Sequence, residues 1–189
     1  MTGTIWRNYE MAETTLIIGG CRSGKSEYAL RLAENAGKRR LFIATAQVLD
    51  EEMRQRVDLH RKARRDRGWD TREENLNLAD GLRRSEGYDV VLCDCLTLWV
   101  SNLQHEAFRN DIMLEEEEMA RLAREVCAVG RSIPAQVIFV TNEVGMGIVP
   151  MNKISRWFRD LTGRCNQEMS AAVDSVIMVV SGLPIKLKG

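Results

Sequence analysis

The stretch Gly19-Gly20-Cys21-Arg22-Ser23-Gly24-Lys25-Ser26 carries glycines, a lysine and a hydroxyl in the spacing G-x-x-x-x-G-K-[ST]. Those residue types suit a phosphate chain. Glycines let the backbone curl until several N–H groups converge on phosphate oxygens, and the start of a following helix adds positive potential. Lys25 has the reach for β- and γ-phosphates, and the Ser26 hydroxyl is the expected ligand of Mg²⁺. The alternative is a chance glycine-rich turn. Context argues against it, because an apolar run (14–20) precedes the motif and a helical spacing follows at Tyr28, Leu32 and Ala36. The motif points to a nucleoside triphosphate and is silent on what is transferred.

Such a cradle needs a carboxylate at the end of a neighbouring strand. Asp94 in "VVLCD" is the candidate for Mg²⁺ or nucleotide, the alternative being that it merely caps the next helix. Thr45 and Ala46 fall at the end of a second apolar run, the edge of an open α/β sheet where ligands bind. His60 lies in "RVDLHRKARRDRGW" among arginines and lysines. On a helix it ends a stripe with Leu49, Met53 and Val57 while Arg54, Lys62 and Arg65 point elsewhere, and Asp50 stands where an N-cap would. Locally, His60 reads as a packed or half-exposed bystander. The functional reading is a nucleophilic imidazole within a phosphate-binding basic cluster. "TNEVGMGIVP" (141–150) puts Thr141, Asn142 and Glu143 at a strand end, before a loop broken by Gly145, Gly147 and Pro150. It reads as a substrate-contacting loop or a plain connector. Arg156, Arg159, Arg164, Asn166 and Gln167 follow on a helix, facing a phosphorylated substrate, a neighbouring subunit or solvent.

Strands are expected over 14–20, 39–46, 88–96, 135–144 and 174–188, the last with a hairpin around Gly182-Leu183-Pro184. Helices are expected over 25–37 with Gly37 as C-cap, 50–66, 73–85, 96–108, 114–130 and 152–173. The acidic run 115–118 then opens a helix, where it suits the dipole. Alternation of this kind implies a P-loop NTPase-like α/β fold, with a mostly parallel central sheet and helices on both faces. One domain is expected over 14–189, behind a leader (1–13) that could be partly flexible.

The 189 residues carry 27 Lys+Arg against 27 Asp+Glu, so nothing global calls for nucleic acid or an anionic membrane. No apolar run approaches the roughly 20 residues of a membrane span. Five cysteines without a secretory signal fit reduced thiols in a cytoplasm. Cys93 and Cys95 have the wrong spacing for a zinc knuckle and read as small buried residues.

Taken in order, "GGCRSGKS", "IATAQVLDEEMRQRVDLHRKAR", "WDTRE", "DCLTLWVSNL", "TNEVGMGIVP", "RDLTGRCNQEMSAAVDSV" and "VVSGLPIKLK" resemble the bifunctional adenosylcobinamide kinase/adenosylcobinamide-phosphate guanylyltransferases. The resemblance spans about residues 15 to 188. It implies phosphorylation of adenosylcobinamide by ATP or GTP, then transfer of GMP from GTP through a covalent histidine to adenosylcobinamide phosphate. The family histidine falls on His60. The GTP-contacting segments fall on Gly19 to Ser26 (Gly19, Gly20, Cys21, Arg22, Ser23, Gly24, Lys25, Ser26), on Ala44, Thr45 and Ala46, on Arg61, Lys62, Ala63 and Arg64, and on Glu73 and Asp94. A homotrimer with sites near subunit boundaries is also implied. Two alternatives come with other chemistry: a P-loop small-molecule kinase with His60 idle, and a nucleotide switch acting through partners. Imidazole is a good nucleophile near neutral pH. Glu73 and Asp94 could accept hydrogen bonds from guanine N1–H and its 2-amino group, which for Asp94 competes with Mg²⁺.

Overall fold

The structure, a computed structural model, describes residues 14–47, 51–65 and 67–189, and for positions 52, 53, 56, 59, 60 and 63 the helical backbone only. The expected leader, Leu49 and Asp50 lie outside the described residues. The strands are β1 (Thr14–Gly19), β2 (Arg40–Ala44), β3 (Trp69–Glu73), β4 (Val90–Asp94), β5 (Gln136–Asn142), β6 (Ser175–Val180) and β7 (Leu183–Lys188). The helices are α1 (Lys25–Ala36), α2 (Glu51–Arg64), α3 (Leu78–Arg83), α4 (Leu96–Arg109), α5 (Glu116–Ser132) and α6 (Lys153–Ala172), with a 3₁₀ turn at Val144–Met146.

The strands form one sheet in the order β3-β2-β4-β5-β1-β6-β7. All neighbours are parallel except β6 and β7. Continuous apolar strands need cover on both faces, and they have it. Leu16, Ile43, Val91 and Phe139 face α3 to α6, in a core with Trp99, Met119 and Leu161. Ile17, Phe42, Leu92 and Val140 face α1, against Ala29, Leu30 and Ala33. The expected fold class is the observed one.

Two expectations are corrected. "WDTRE" is strand β3, where no strand was expected, and the helix expected over 73–85 shrinks to α3 (Leu78–Arg83). β3 is an edge strand whose residues are all exposed or half-buried, so it never needed the apolar run that marks a covered strand. Gly37 does cap α1, its N–H donating to the Ala33 carbonyl, but in extended backbone. Its smallness is required for another reason: a Cβ there would lie 2.4 Å from Cβ of Asp89. Asp89 accepts from the backbone N–H groups of Lys38 and Arg39 and from the Arg39 guanidinium, locking the α1–β2 turn to the start of β4. Cys93 and Cys95 are buried free thiols, and burial pushes the Cys95 thiol up to about 12.

Candidate active site

Strand register builds the site. Ala44 on β2 pairs with Glu73 on β3 and with Asp94 on β4, and Gly19 on β1 pairs with Asn142 on β5. The residues singled out on Gly19, Ala44, Glu73 and Asp94 therefore share the C-terminal edge of the parallel sheet. At about 4.8 Å per strand, the four steps from β1 to β3 cover roughly 19 Å.

At one end of this edge lies the loop between β1 and α1. Arg22 (φ 56°) and Gly24 (φ 93°) take left-handed backbone, which curls the chain so that amide groups can point inward. Gly19 is sterically obligatory, because a Cβ would lie 2.5 Å from the Val179 carbonyl oxygen. Lys25 opens α1, is buried, and its ammonium donates to the Gly20 carbonyl at 3.1 Å. The ammonium thus spans the loop. Ser26 is half-buried in the first turn, and Cys21 is exposed.

Asp94, half-buried, ends β4. The N-cap of α4 falls on Cys95 and makes no side-chain cap bond, so Asp94 is not spent on capping that helix. Ser26 and Asp94 offer a hydroxyl and a carboxylate, hard oxygen donors of the kind Mg²⁺ takes alongside phosphates and water. Among the described residues there is no group of three or more His, Cys, Asp or Glu that could hold a metal ion.

At the other end α2 descends onto β2 and β3. Arg61 pairs with Glu73 at 2.5 Å, two residues both assigned to the site. Both are largely exposed, so the pair is worth about 1 kcal/mol or less and is easily exchanged for a ligand. Arg64 is only 5% exposed, and its guanidinium carbon lies 3.5 Å from the centroid of the Phe42 ring. Among the described residues its Nε and one terminal nitrogen have no hydrogen-bond partner. Burial draws its pKa down to about 10, against the attraction of Asp94. An aromatic face carries the cation, and the two nitrogens are buried with it. Lys62 is exposed. The side chains of His60 and Ala63 lie outside the described residues, with the backbone of both within α2.

Thr45 sits within the edge but does not face outward. Its hydroxyl donates to the Cys95 carbonyl (2.7 Å) and accepts from the Cys95 N–H (2.8 Å). The side chain, fully buried, fastens β2 to β4 beside Asp94. Asn102 of α4 adds to this by donating to the Thr45 and Asn75 carbonyls. Thr97 accepts from the Asn142 N–H at 2.7 Å, and Asn166 of α6 joins the Thr141 hydroxyl to the Asn142 carbonyl. Asn102 and Thr97 had no role in the sequence reading, and Asn166 was placed against substrate, subunit or solvent. Their one signal was a polar side chain on an otherwise apolar helix face. Beyond β5, Met146, Ile148, Val149 and Met151 are exposed on the loop at 144–151. Glu143 turns back to accept from the Gly145 N–H.

Residues 15–187 match the family described as cobinamide kinase / cobinamide phosphate guanyltransferase. The chain is 38% identical over 180 residues to the bifunctional adenosylcobalamin biosynthesis protein CobU of Escherichia coli, covering 92% of this chain and 98% of that one. It is 41% identical over 177 residues to the bifunctional adenosylcobalamin biosynthesis protein CobP of Pseudomonas aeruginosa, covering 92% and 96%. Among solved structures, an ATP synthase subunit, NeqB of Nanoarcheaum equitans, superposes with a TM-score of 0.52 at 14% identity, over 89% of this chain and 45% of that one, a likeness of fold alone. With the phosphate loop, Asp94 and the α2 arginines on one sheet edge, and with near full-length identity of about two residues in five, the chain belongs to the cobinamide kinase / cobinamide phosphate guanyltransferase family.

Proposed function

We propose that this one edge performs both transfers: phosphorylation of adenosylcobinamide by ATP or GTP, then guanylylation of adenosylcobinamide phosphate through His60. The observation that carries the reading is the roughly 19 Å edge, with a phosphate loop at one end and Arg61, Arg64 and Glu73 at the other. A nucleoside triphosphate laid along it places phosphates at Gly19–Ser26 and its base toward β3.

In the first transfer a hydroxyl oxygen of adenosylcobinamide attacks the γ-phosphorus and loses its proton to solvent, the bond from that phosphorus to the β–γ bridging oxygen breaks, and a nucleoside diphosphate leaves. Lys25 releases Gly20 and follows the β- and γ-oxygens, and the loop amides hold them in line. Ser26 and Asp94 would hold Mg²⁺, which when bound offsets charge on the phosphate oxygens. In the second transfer an imidazole nitrogen of His60 attacks the α-phosphorus of GTP and pyrophosphate leaves. A phosphate oxygen of adenosylcobinamide phosphate then attacks the same phosphorus and the P–N bond breaks, giving adenosylcobinamide-GDP. Covalent transfer divides one difficult displacement into two easier ones. Arg64 and Lys62 offset the charge in transit, and Glu73, freed from Arg61, can accept from the guanine N1–H and 2-amino group. The Thr45 hydroxyl serves here as a strut, leaving nucleotide contact on this segment to Ala44 and Ala46.

The edge strand β7 exposes Leu183, Ile185 and Leu187, and the 146–151 loop exposes four apolar side chains. These surfaces support the homotrimer reading and meeting of the corrinoid near a subunit boundary. The test of the two-transfer reading is Lys25→Ala. Phosphorylation of adenosylcobinamide is expected to fall by about two orders of magnitude or more. An unchanged rate would remove the phosphate loop from the reaction.

A further inference from the structure

The turn joining β6 to β7 is hydrogen-bonded to the phosphate loop: the Gly182 N–H donates to the Ser23 carbonyl at 2.7 Å. Ser181 (φ 51°) and Gly182 (φ 81°) both take left-handed backbone, the signature of a two-residue hairpin turn of the primed type. In that turn the amide of the second central residue is free of the hairpin's own ladder and points outward. The approach is close, because a Cβ on Gly24 would lie 3.2 Å from Cα of Gly182. It is also continuous with the contact of Gly19 against the Val179 carbonyl on β6.

We infer that Gly182 is a positioning residue for phosphate binding, acting through the Ser23–Gly24 peptide. A trans peptide is planar with C=O and N–H antiparallel. Holding the Ser23 carbonyl toward the hairpin therefore turns the Gly24 N–H the opposite way, toward the inside of the loop. Gly24 immediately precedes Lys25 and α1, so its amide is one of those the cradle needs. Without the Gly182 donor, the 23–24 peptide can flip and the cradle loses a donor. Nothing lies within 4 Å of a Cβ built on Gly182, so its requirement is for left-handed backbone and a free N–H rather than for space.

The inference rests on the reading of this loop as a nucleotide site, and the test separates the two. The full chain is assembled by ligation at the native Cys165, with an ester in place of the Ser181–Gly182 amide, beside an all-amide chain made the same way. GTP and inorganic tripolyphosphate, each with Mg²⁺, are titrated into both. Loss of one hydrogen bond to a cradle peptide is expected to weaken both ligands about 3- to 10-fold in the ester chain. Equal affinity in the two chains overturns the inference, including where the ester chain is less heat-stable, since Gly182 then serves the fold alone. If even the all-amide chain binds neither ligand, it is the nucleotide reading that fails. Should the ester chain not refold, Gly182→Asn and Gly182→Val read the same contact. Asparagine tolerates left-handed backbone and is expected to retain affinity, while valine resists it and is expected to lose about tenfold. Equal affinities in that pair overturn the inference as well.

Discussion

Arg64 shows how a single side chain can be costly to the fold and useful to the site. Its buried guanidinium has two nitrogens unpaired among the described residues, and burial holds its pKa at about 10, below the usual arginine value. Because the folded value is depressed, the cost applies below about pH 10 and eases as pH rises toward the unfolded value. Arg64 therefore stays cationic near neutrality and carries the full penalty there. Replacing a buried, underpaired charge by an apolar side chain of similar length removes that penalty. Arg64→Met is expected to match or exceed the parent's stability in a thermal melt while GTP affinity by titration falls about tenfold, the value of one charge-assisted contact. Unchanged GTP affinity would take Arg64 out of the site. From local sequence this arginine was one of a basic run, and only the family pattern raised it. Its place over Phe42 depends on where α2 lands on β2, which no local spacing encodes.

At the scale of elements, the edge is held by polar fasteners between strand ends. Thr45 satisfies the Cys95 N–H and shares its carbonyl with the Trp99 N–H, so Thr45→Val leaves one buried donor unpaired, at about 1–3 kcal/mol. Urea denaturation should show that loss in Thr45→Val and far less in Thr45→Ser, which keeps the hydroxyl. Equal losses in both would assign the effect to packing. At the opposite end of the strands, Asp89 is drawn down to about 2 by the Arg39 amide and guanidinium and the Lys38 amide. A depressed carboxylate contributes stability above its unfolded pKa, and that contribution is lost as pH falls from about 4 toward 2. Asp89→Asn is expected to flatten the fall in melting temperature across that window. A parallel fall in both chains would contradict this. Covered elements were legible from the sequence: runs such as "TLIIG" and "VVLC" read as buried strands, and the hairpin expected around Gly182-Leu183-Pro184 is present with its turn at Ser181-Gly182. β3 was not, because "WDTRE" stands at an edge and is specified by pairing with β2 rather than by its own apolarity. Thr97 and Asn102, and the fastening role of Asn166, stayed hidden because they bond backbone groups distant in sequence.

For the whole molecule, the phosphate loop and the carboxylate at the end of β4 were readable by motif, whereas His60 was singled out only by the family resemblance of the chain around it. α2 ends with Arg61 on Glu73 and Arg64 on Phe42, so its C-terminal turn is anchored at the same edge as Asp94. His60 lies one position before Arg61 on that helix. The intact protein with Mg²⁺ and GTP labelled at the α-phosphate provides the most direct measurement. The account predicts acid-labile, alkali-stable label on the parent chain and none from GTP labelled at the γ-phosphate. It predicts no label on His60→Ala, which keeps much of its kinase activity toward adenosylcobinamide. Label that persists in His60→Ala, or equal loss of both activities in that variant, would contradict it.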